Sequence, residues 1–573
     1  MNKPVAIDTS RFWEVLKPSL YAAGGFSFFI NLMLLAPILY MLQVFDRVLT
    51  SRSEPTLYML TVIAVIALVA MAFVDLARSR LMTALGRRID EMLGERVLKN
   101  LILHASSVSR GGYVHGLKDI ATLRSFFTGN NIIALFDAPW LIFFILVIFL
   151  FHPVMGVIAV LGSAILLLMA WVNEKTNRAD IERYQDATRR SGAFMDQGVR
   201  NADVLNSMGM TSRFSARWKK SNDETLDRML GANTRMSAVL SASKFIRQSI
   251  QVTMMGVGVY LVIHDNLSPG IMIAATILLG RAMAPVESLI GNWNGLVAAR
   301  SSYGRLAEMF PEIFADGARQ PLPAPSGRIQ LERVYLAGKS ADNPIIRHVD
   351  LDLPAGKSLG ILGPSGSGKS SLAKLIVGVW TPTSGHVRID GADIAHWDRD
   401  FLGKHIGYLP QDVELFQGTI SDNIGRFDDS DPEAILSAAR AAHAYELALH
   451  LPDGFDTELG SGGIQLSAGQ AQRIGLARAL YRKPRIVVLD EPNANLDAEG
   501  EQALVQTLVE LKNRQTTVIM ITHKPALVAP MDYLLVLREG RVELLGPRDE
   551  VLSRLGVQPM PHPVPADKAG ASS

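Results

Sequence analysis

The chain has 573 residues, with 57 Lys and Arg against 55 Asp and Glu and a net charge of +2. It is too long for one ordinary domain and carries no global bias toward nucleic acid. The absence of cysteine excludes disulfide scaffolds, thiolate metal sites and cysteine nucleophiles, while a mean hydropathy of +0.19 beside 20% charged residues requires the apolar residues to be unevenly spread.

Residues 18–45, 55–74, 138–173, 248–264 and 266–280 hold no Asp, Glu, Lys or Arg. About 20 apolar residues carry a helix across the ~30 Å hydrocarbon layer. The run 138–173 would be about 54 Å long as one helix, and His152-Pro153 divides it into two spans. DNLSPG at 265–270 is a turn that joins the last two runs as a hairpin. Six spans are expected, near 20–45, 55–77, 132–151, 153–173, 245–264 and 267–290. Buried core helices are the competing reading. It fails at 55–74, which has no polar face to offer water.

Lys and Arg gather between spans two and three (Arg78, Arg80, Arg87, Arg88, Arg96, Lys99) and again between four and five (Lys175, Arg178, Arg189, Arg190, Lys219, Lys220). The turns at 152–153 and 264–270 have none. That bias puts both termini and the long connections in the cytoplasm. Ile89, Met92, Leu93, Val97 and Leu98 recur at helical spacing, so the spans are expected to continue as cytoplasmic helices. The 17 residues before the first span show no small-residue cleavage site, so that span reads as a retained helix. Asp137, Arg281 and Glu287 are ionisable groups near membrane depth, where charge defaults to functional suspicion. The plainer reading of these groups is interfacial snorkelling or an internal ion pair; the functional one for Asp137 faces the transport path or a subunit seam.

Residues 311–326 (PEIFADGARQPLPAPS) form a Pro-rich connection that is not expected to be helical. Beyond it, Ser358–Leu362, Ile406–Leu409, Arg485–Leu489, Thr517–Ile521 and Tyr533–Leu537 alternate with amphipathic stretches, the pattern of a parallel sheet flanked by helices. The tail 557–573 has no periodicity and reads as disordered.

Gly363-Pro364-Ser365-Gly366-Ser367-Gly368-Lys369-Ser370, followed by Ser371, lies between the strand SLGIL and a helical stretch. Glycines let backbone N–H groups close around phosphates, and the helix start adds its dipole. Lys369 would reach the β- and γ-phosphates, and Ser370 would ligate Mg²⁺. Ile486–Leu489 delivers Asp490 and Glu491 to a strand end: Asp490 is the expected Mg²⁺ partner, Glu491 the group that orients and deprotonates water. His523, after TTVIMIT, could contact the γ-phosphate, and Gln411, after IGYLP, could touch both Mg²⁺ and the attacking water. Ser467, Gly469 and Gln470 open another helix as a second phosphate cradle. The phosphate loop serves its own nucleotide, so this cradle implies a dimer that shares each one.

Tyr335, GPSGSGKS, Gln411, LSAGQ, IVVLDE, Asn495-Leu496-Asp497 and His523 resemble, in order and spacing, the nucleotide-binding domain of ABC transporters. The likeness spans roughly 327–556. It implies a fold class of an α-helical six-span transmembrane domain (1–310) followed by an α/β P-loop NTPase domain, with ATP and Mg²⁺ as ligands. It implies further that Tyr335 stacks on adenine, that Ser467, Gly469 and Gln470 act on the other subunit's ATP, and that Asp497 lies at the dimer contact. Two departures are Ala468, where the family usually has Gly, and Pro-Asn-Ala-Asn-Leu-Asp after Glu491.

YMLQVFDRVLTSRSEPTL (40–57), ALFDAPW (134–140) and SPGIMIAATILLGRAMAPVE (268–287) resemble the ABC components of type I secretion systems, in their protease-exporter branch. The resemblance implies a homodimeric half-transporter in a Gram-negative inner membrane, working with a periplasmic adaptor and an outer-membrane duct. Its cargo would be an unfolded protein with a C-terminal signal. With 17 residues ahead of the first span, the peptidase-like domain of other branches is not expected. A lipid or drug exporter on the same scaffold and an ATP-binding clamp are the rival readings.

Overall fold

The computed structural model describes residues 10–105, 116–265, 267–313, 322–338, 344–428, 431–460 and 463–556. The tail 557–573 and residues 314–321 of the Pro-rich connection lie outside the described residues. The chain divides into two compact units, 1–101 with 114–315, and 102–113 with 316–573.

The first unit is helical. Among the described residues, Phe12–Ser51, Glu54–Leu103, Pro153–Val172, Thr211–His264 and Pro269–Gly291 are long and apolar enough to cross a bilayer. Asn130–Asp137 and Trp140–Phe151, bent by 41° at their junction, make a sixth span when read together. The bend falls at Ala138-Pro139, where proline cannot donate to the helical ladder. The helices Glu54–Ala105, Pro153–Arg200 and Thr211–His264 contain 52, 48 and 54 residues. At 1.5 Å per residue each is about 70–80 Å long, more than twice the hydrocarbon layer. Ile89, Leu93 and Val97 are buried at four-residue spacing with Phe12, Ile120 and Leu306, whereas Leu98 is exposed.

Sequence signals set the helix ends. His152 has an extended backbone and its Nδ1 accepts from Val154 N at 3.3 Å, with Pro153 at the first helical position. Ser268 Oγ accepts from Ile271 N at 3.1 Å, ahead of Pro269–Gly291. Two stretches are more helical than the sequence suggests. Val44–Val48 is a π-helical turn continued by Leu49–Ser51, and the reversal waits for Arg52, at φ +51°. Trp293–Ile313 runs three residues into the connection 311–326, continuing a helix whose inner face is buried at Ser302 and Leu306.

Asp137 settles into an internal cluster. Its Oδ1 accepts from Asn31 Nδ2 at 2.8 Å and from Arg78 Nη1 at 3.4 Å, while Arg78 also donates to Ser27 Oγ at 2.8 Å and Asp75 at 2.7 Å. An internal ion pair, part of the plainer reading of Asp137, is therefore formed. Arg78, counted among the connection cations, is buried.

The second unit is α/β. Its six-stranded sheet runs Arg541–Pro547, Tyr533–Arg538, Ser358–Leu362, Thr517–Ile521, Ile486–Asp490, Ile406–Leu409. The last five are parallel and Arg541–Pro547 is antiparallel at the edge. These five are the apolar runs singled out in the sequence. Ile486–Asp490 and Thr517–Ile521 are buried at every position, as a parallel sheet covered on both faces requires. A second, antiparallel sheet of Ile346–Leu353, Ile329–Leu336, Ser384–Ile389 and Ala392–Asp393 was not anticipated.

Candidate active site

Ser358–Leu362 leads into the phosphate loop, and the helix Lys369–Ile376 leaves it. Gly363 takes φ +147°, and a Cβ there would strike the carbonyl of Leu537. Gly368 takes φ +100°, and its Cβ would meet Ile346 Cδ1 at 2.9 Å and Ile345 O at 3.0 Å. Only glycine fits both the dihedral and the space. Gly366, at φ +79°, stands open. Pro364 O and Gly363 O accept from Lys369 Nζ at 2.9 and 2.8 Å, so the ammonium bonds the loop's own carbonyls. Ser367 Oγ is buried without a partner among the described residues. Ser371 follows on the helix, half-buried.

Three parallel strand ends converge here. Asp490 ends its strand beside Ile521, is almost fully buried, and accepts a hydrogen bond from Ser370. Its Oδ1 is buried without a partner among the described residues. Burial pushes the Asp490 carboxyl above the usual range, against that Ser370 bond. Burial likewise pulls Lys369 below its ordinary value, opposed by the charges of Glu491 and Asp490. Glu491 leaves the strand in the left-handed region, at φ +49°, an uncommon conformation for a non-glycine residue that clusters at functional sites. Its backbone N donates to Ile521 O at 3.0 Å. Its Oε2 accepts from Gln411 Nε2 at 3.1 Å, and its Oε1 lies 3.5 Å from His523 Nε2. Lys369, Ser370, Gln411, Asp490, Glu491 and His523 therefore form one polar site.

The second cradle is elsewhere. Ser467 caps the helix Ala468–Leu480: its Oγ accepts from Gln470 N at 3.3 Å, and Gln470 Oε1 accepts from Ser467 N at 2.9 Å, a capping box. A Cβ on Gly469 would meet Asn495 O at 2.7 Å. Among the described residues, no hydrogen bond or ion pair joins Ser467, Gly469 or Gln470 to the Lys369 site. Asp497 caps Ala498–Asn513 through Gly500 N at 2.8 Å and pairs with Arg473 at 3.3 Å. Tyr335 belongs to the antiparallel sheet, its ring 5.4 Å from that of His348.

The "ABC transporter" family description matches residues 346–494 and "ABC transporter transmembrane region" matches 20–286. The chain is 42% identical over 541 residues to the type I secretion system ATP-binding protein PrsD of Rhizobium meliloti, covering 94% of this chain and 93% of that protein. The chain belongs to the ABC transporters of type I secretion systems. Cyclolysin secretion/processing ATP-binding protein CyaB of Bordetella pertussis is 29% identical, over 94% of this chain and 76% of that one. Alpha-hemolysin translocation ATP-binding protein HlyB of Escherichia coli O157:H7 is 28% identical, over 92% and 76%. A solved bacterial Atm1-family ABC exporter with ATP bound shares the fold, with a TM-score of 0.76 at 24% identity over 94% of this chain and 97% of that one. The transporter is a membrane protein whose ATPase is coupled to transport.

One contributor to the site escaped the sequence. Tyr408, beside Val488 in the sheet, has a buried hydroxyl without a partner among the described residues. Burial and the charge of Asp490 push it up to about 12. The orphaned Asp490 Oδ1 and the Ser370 hydroxyl are hard oxygen donors, which suit Mg²⁺.

Proposed function

We propose that the transporter exports an unfolded polypeptide across a Gram-negative inner membrane, as a homodimer with two shared ATP sites. A periplasmic adaptor and an outer-membrane TolC-like duct would continue the path, and the cargo would carry a C-terminal signal. The Lys and Arg bias along the chain supports a cytoplasmic nucleotide-binding unit. One observation carries the dimer: the Ser467 cradle and the Lys369 site are both formed, yet among the described residues no hydrogen bond or ion pair joins Ser467, Gly469 or Gln470 to the Lys369 site within a chain.

ATP enters the loop of one copy, where Lys369 exchanges its carbonyl partners for the β- and γ-phosphates. Ser370, Gln411 and Asp490 would hold Mg²⁺, which supplies charge neutralisation at the phosphates. Tyr335 would stack on adenine, and the partner's Ser467 and Gly469 would cover the γ-phosphate. Glu491, steadied by Gln411 and His523, takes a proton from a water whose oxygen attacks the γ-phosphorus as the bridging P–O bond breaks. His523 donates to the γ-phosphate, and loss of the cleaved phosphate removes the contacts that held the copies closed. ATP shifts this equilibrium only through contacts that the closed state alone provides.

Transport in sealed inverted vesicles tests the reading. Protease-protected uptake of a polypeptide bearing a C-terminal secretion signal is expected with ATP and lost in Lys369→Ala. Uptake of lipid or drug without polypeptide would transfer the function to the rival exporter class.

A further inference from the structure

Among the described residues, the ionisable groups singled out near membrane depth fall into three sets, and two of them are paired. Arg78 is held by Asp75 and Asp137, and Arg247 by Glu287 at 3.0 Å. Arg281 is different. It is exposed, and among the described residues no hydrogen bond or ion pair reaches it. It follows Pro269, the first residue of its helix, by twelve positions, or about 18 Å at 1.5 Å per residue. With Pro269 at one edge of a ~30 Å layer, that places it about two helical turns from the other edge, where intramembrane charge is costly.

The helix around it is also unlike its neighbours. Other spans expose large apolar side chains, such as Ile63 at 59%, Ile142 at 76% and Leu161 at 59%. Among the described residues Pro269–Gly291 exposes none; its exposed positions are Pro269, Arg281 and Ala284. A lone cation beside an alanine is not a surface for acyl chains, because intramembrane charge turns to water or to an opposite charge.

We infer that Arg281 lines a hydrated path through the transporter and binds carboxylates of the polypeptide being exported. The inference rests on the export reading above. A guanidinium fork matches a carboxylate in a bidentate pair. Lipid phosphates carry similar chemistry but stay at headgroup level, whereas an unfolded chain in transit brings Asp, Glu and its terminal carboxylate to this depth.

The chain has no cysteine, so R281C is a single-cysteine probe as it stands. In inverted vesicles the impermeant anionic reagent sulfonatoethyl methanethiosulfonate should modify it at least about tenfold faster than I63C or I142C, whose sites are exposed on wholly apolar stretches of other spans. Equal rates would overturn the proposal, as they would if Arg281 were buried against a second copy. Wild type should also bind a fluorescent (Gly-Asp) repeat peptide about tenfold more tightly than its Gly-Asn counterpart, the scale of one charge-assisted contact. R281Q should lose that preference and R281K should retain part of it. A full acidic preference in R281Q would overturn the proposal even with fast labelling. Failure of the export reading looks different: wild type would bind neither peptide while lipid or drug altered its turnover, removing both readings together.

Discussion

Asp490 is buried beneath the phosphate loop with one oxygen unpartnered, so in the nucleotide-free protein its ionised form is the costly one. A carboxyl raised on folding binds its proton more tightly folded than unfolded. Stability therefore falls as pH rises from the unfolded value, about 3.9, to the raised folded value, and is level above it. Asp490→Asn removes that loss. Its apparent melting temperature without nucleotide should exceed wild type at neutral pH, the gap closing as pH falls into the ordinary carboxylate range, while ATP hydrolysis is abolished. A lower melting temperature at neutral pH would contradict the buried-charge account. Glu491→Gln keeps the Gln411 contact but removes the base. It should bind a fluorescent ATP analogue normally and hydrolyse ATP roughly 10²–10⁴-fold more slowly; unchanged turnover would clear Glu491 of that role. Both residues were legible because their spacing follows an apolar strand. Tyr408 was not, because its orphaned hydroxyl depends on pairing with Val488, which no local pattern reveals.

The phosphate loop and the bent span show how elements set these groups. At Gly363 the chain turns at φ +147° against the Leu537 carbonyl, so the loop's shape depends on the neighbouring strand as much as on its own glycines. Gly363→Ala combines that clash with a strained dihedral, a cost of roughly 1–3 kcal/mol. It should lower the melting temperature and abolish nucleotide binding, both read in one thermal-shift titration with ATP; retained binding would show that the loop can relax. In the membrane unit, Asp137 ties the bend at Ala138-Pro139 to Asn31 and Arg78. Asp137→Ala leaves Arg78 buried with Asp75 as its remaining carboxylate and should cost about 1.5–3 kcal/mol, seen as a lower detergent melting temperature. Asp137→Asn should recover part of it through Asn31. The five parallel strands could be read because burial on both faces makes them continuous apolar runs. The antiparallel sheet was missed: Ile346–Leu353 does alternate buried and open positions, but its partner Ile329–Leu336 exposes Glu332 and Arg333 in succession where both pairings shift register, which breaks the period-2 signal.

At the scale of the whole molecule, the proposal that each ATP is shared makes a demand that no single-chain property can meet. If Lys369 of one copy and Ser467 of the other serve one nucleotide, Lys369→Ala and Ser467→Arg each disable both sites of their own homodimer. In a mixed dimer the two defects fall on the same site, and the other retains one intact Lys369 and one intact Ser467. Isologous pairing of equal amounts gives half mixed dimers, each with one working site of two, hence about a quarter of wild-type ATPase. Co-expressing the two variants under separate affinity tags and purifying through both enriches that species to about half of wild-type activity. Sites complete within a single chain would behave otherwise, because every chain in the mixture carries a defect and activity would stay at the level of the mutant homodimers. Full coupling between the sites would also hold the mixture down, so the doubly tagged dimer is assayed for single-turnover hydrolysis as well. One phosphate released per dimer indicates a shared site that fires once, and none indicates that the cradle and the loop do not meet.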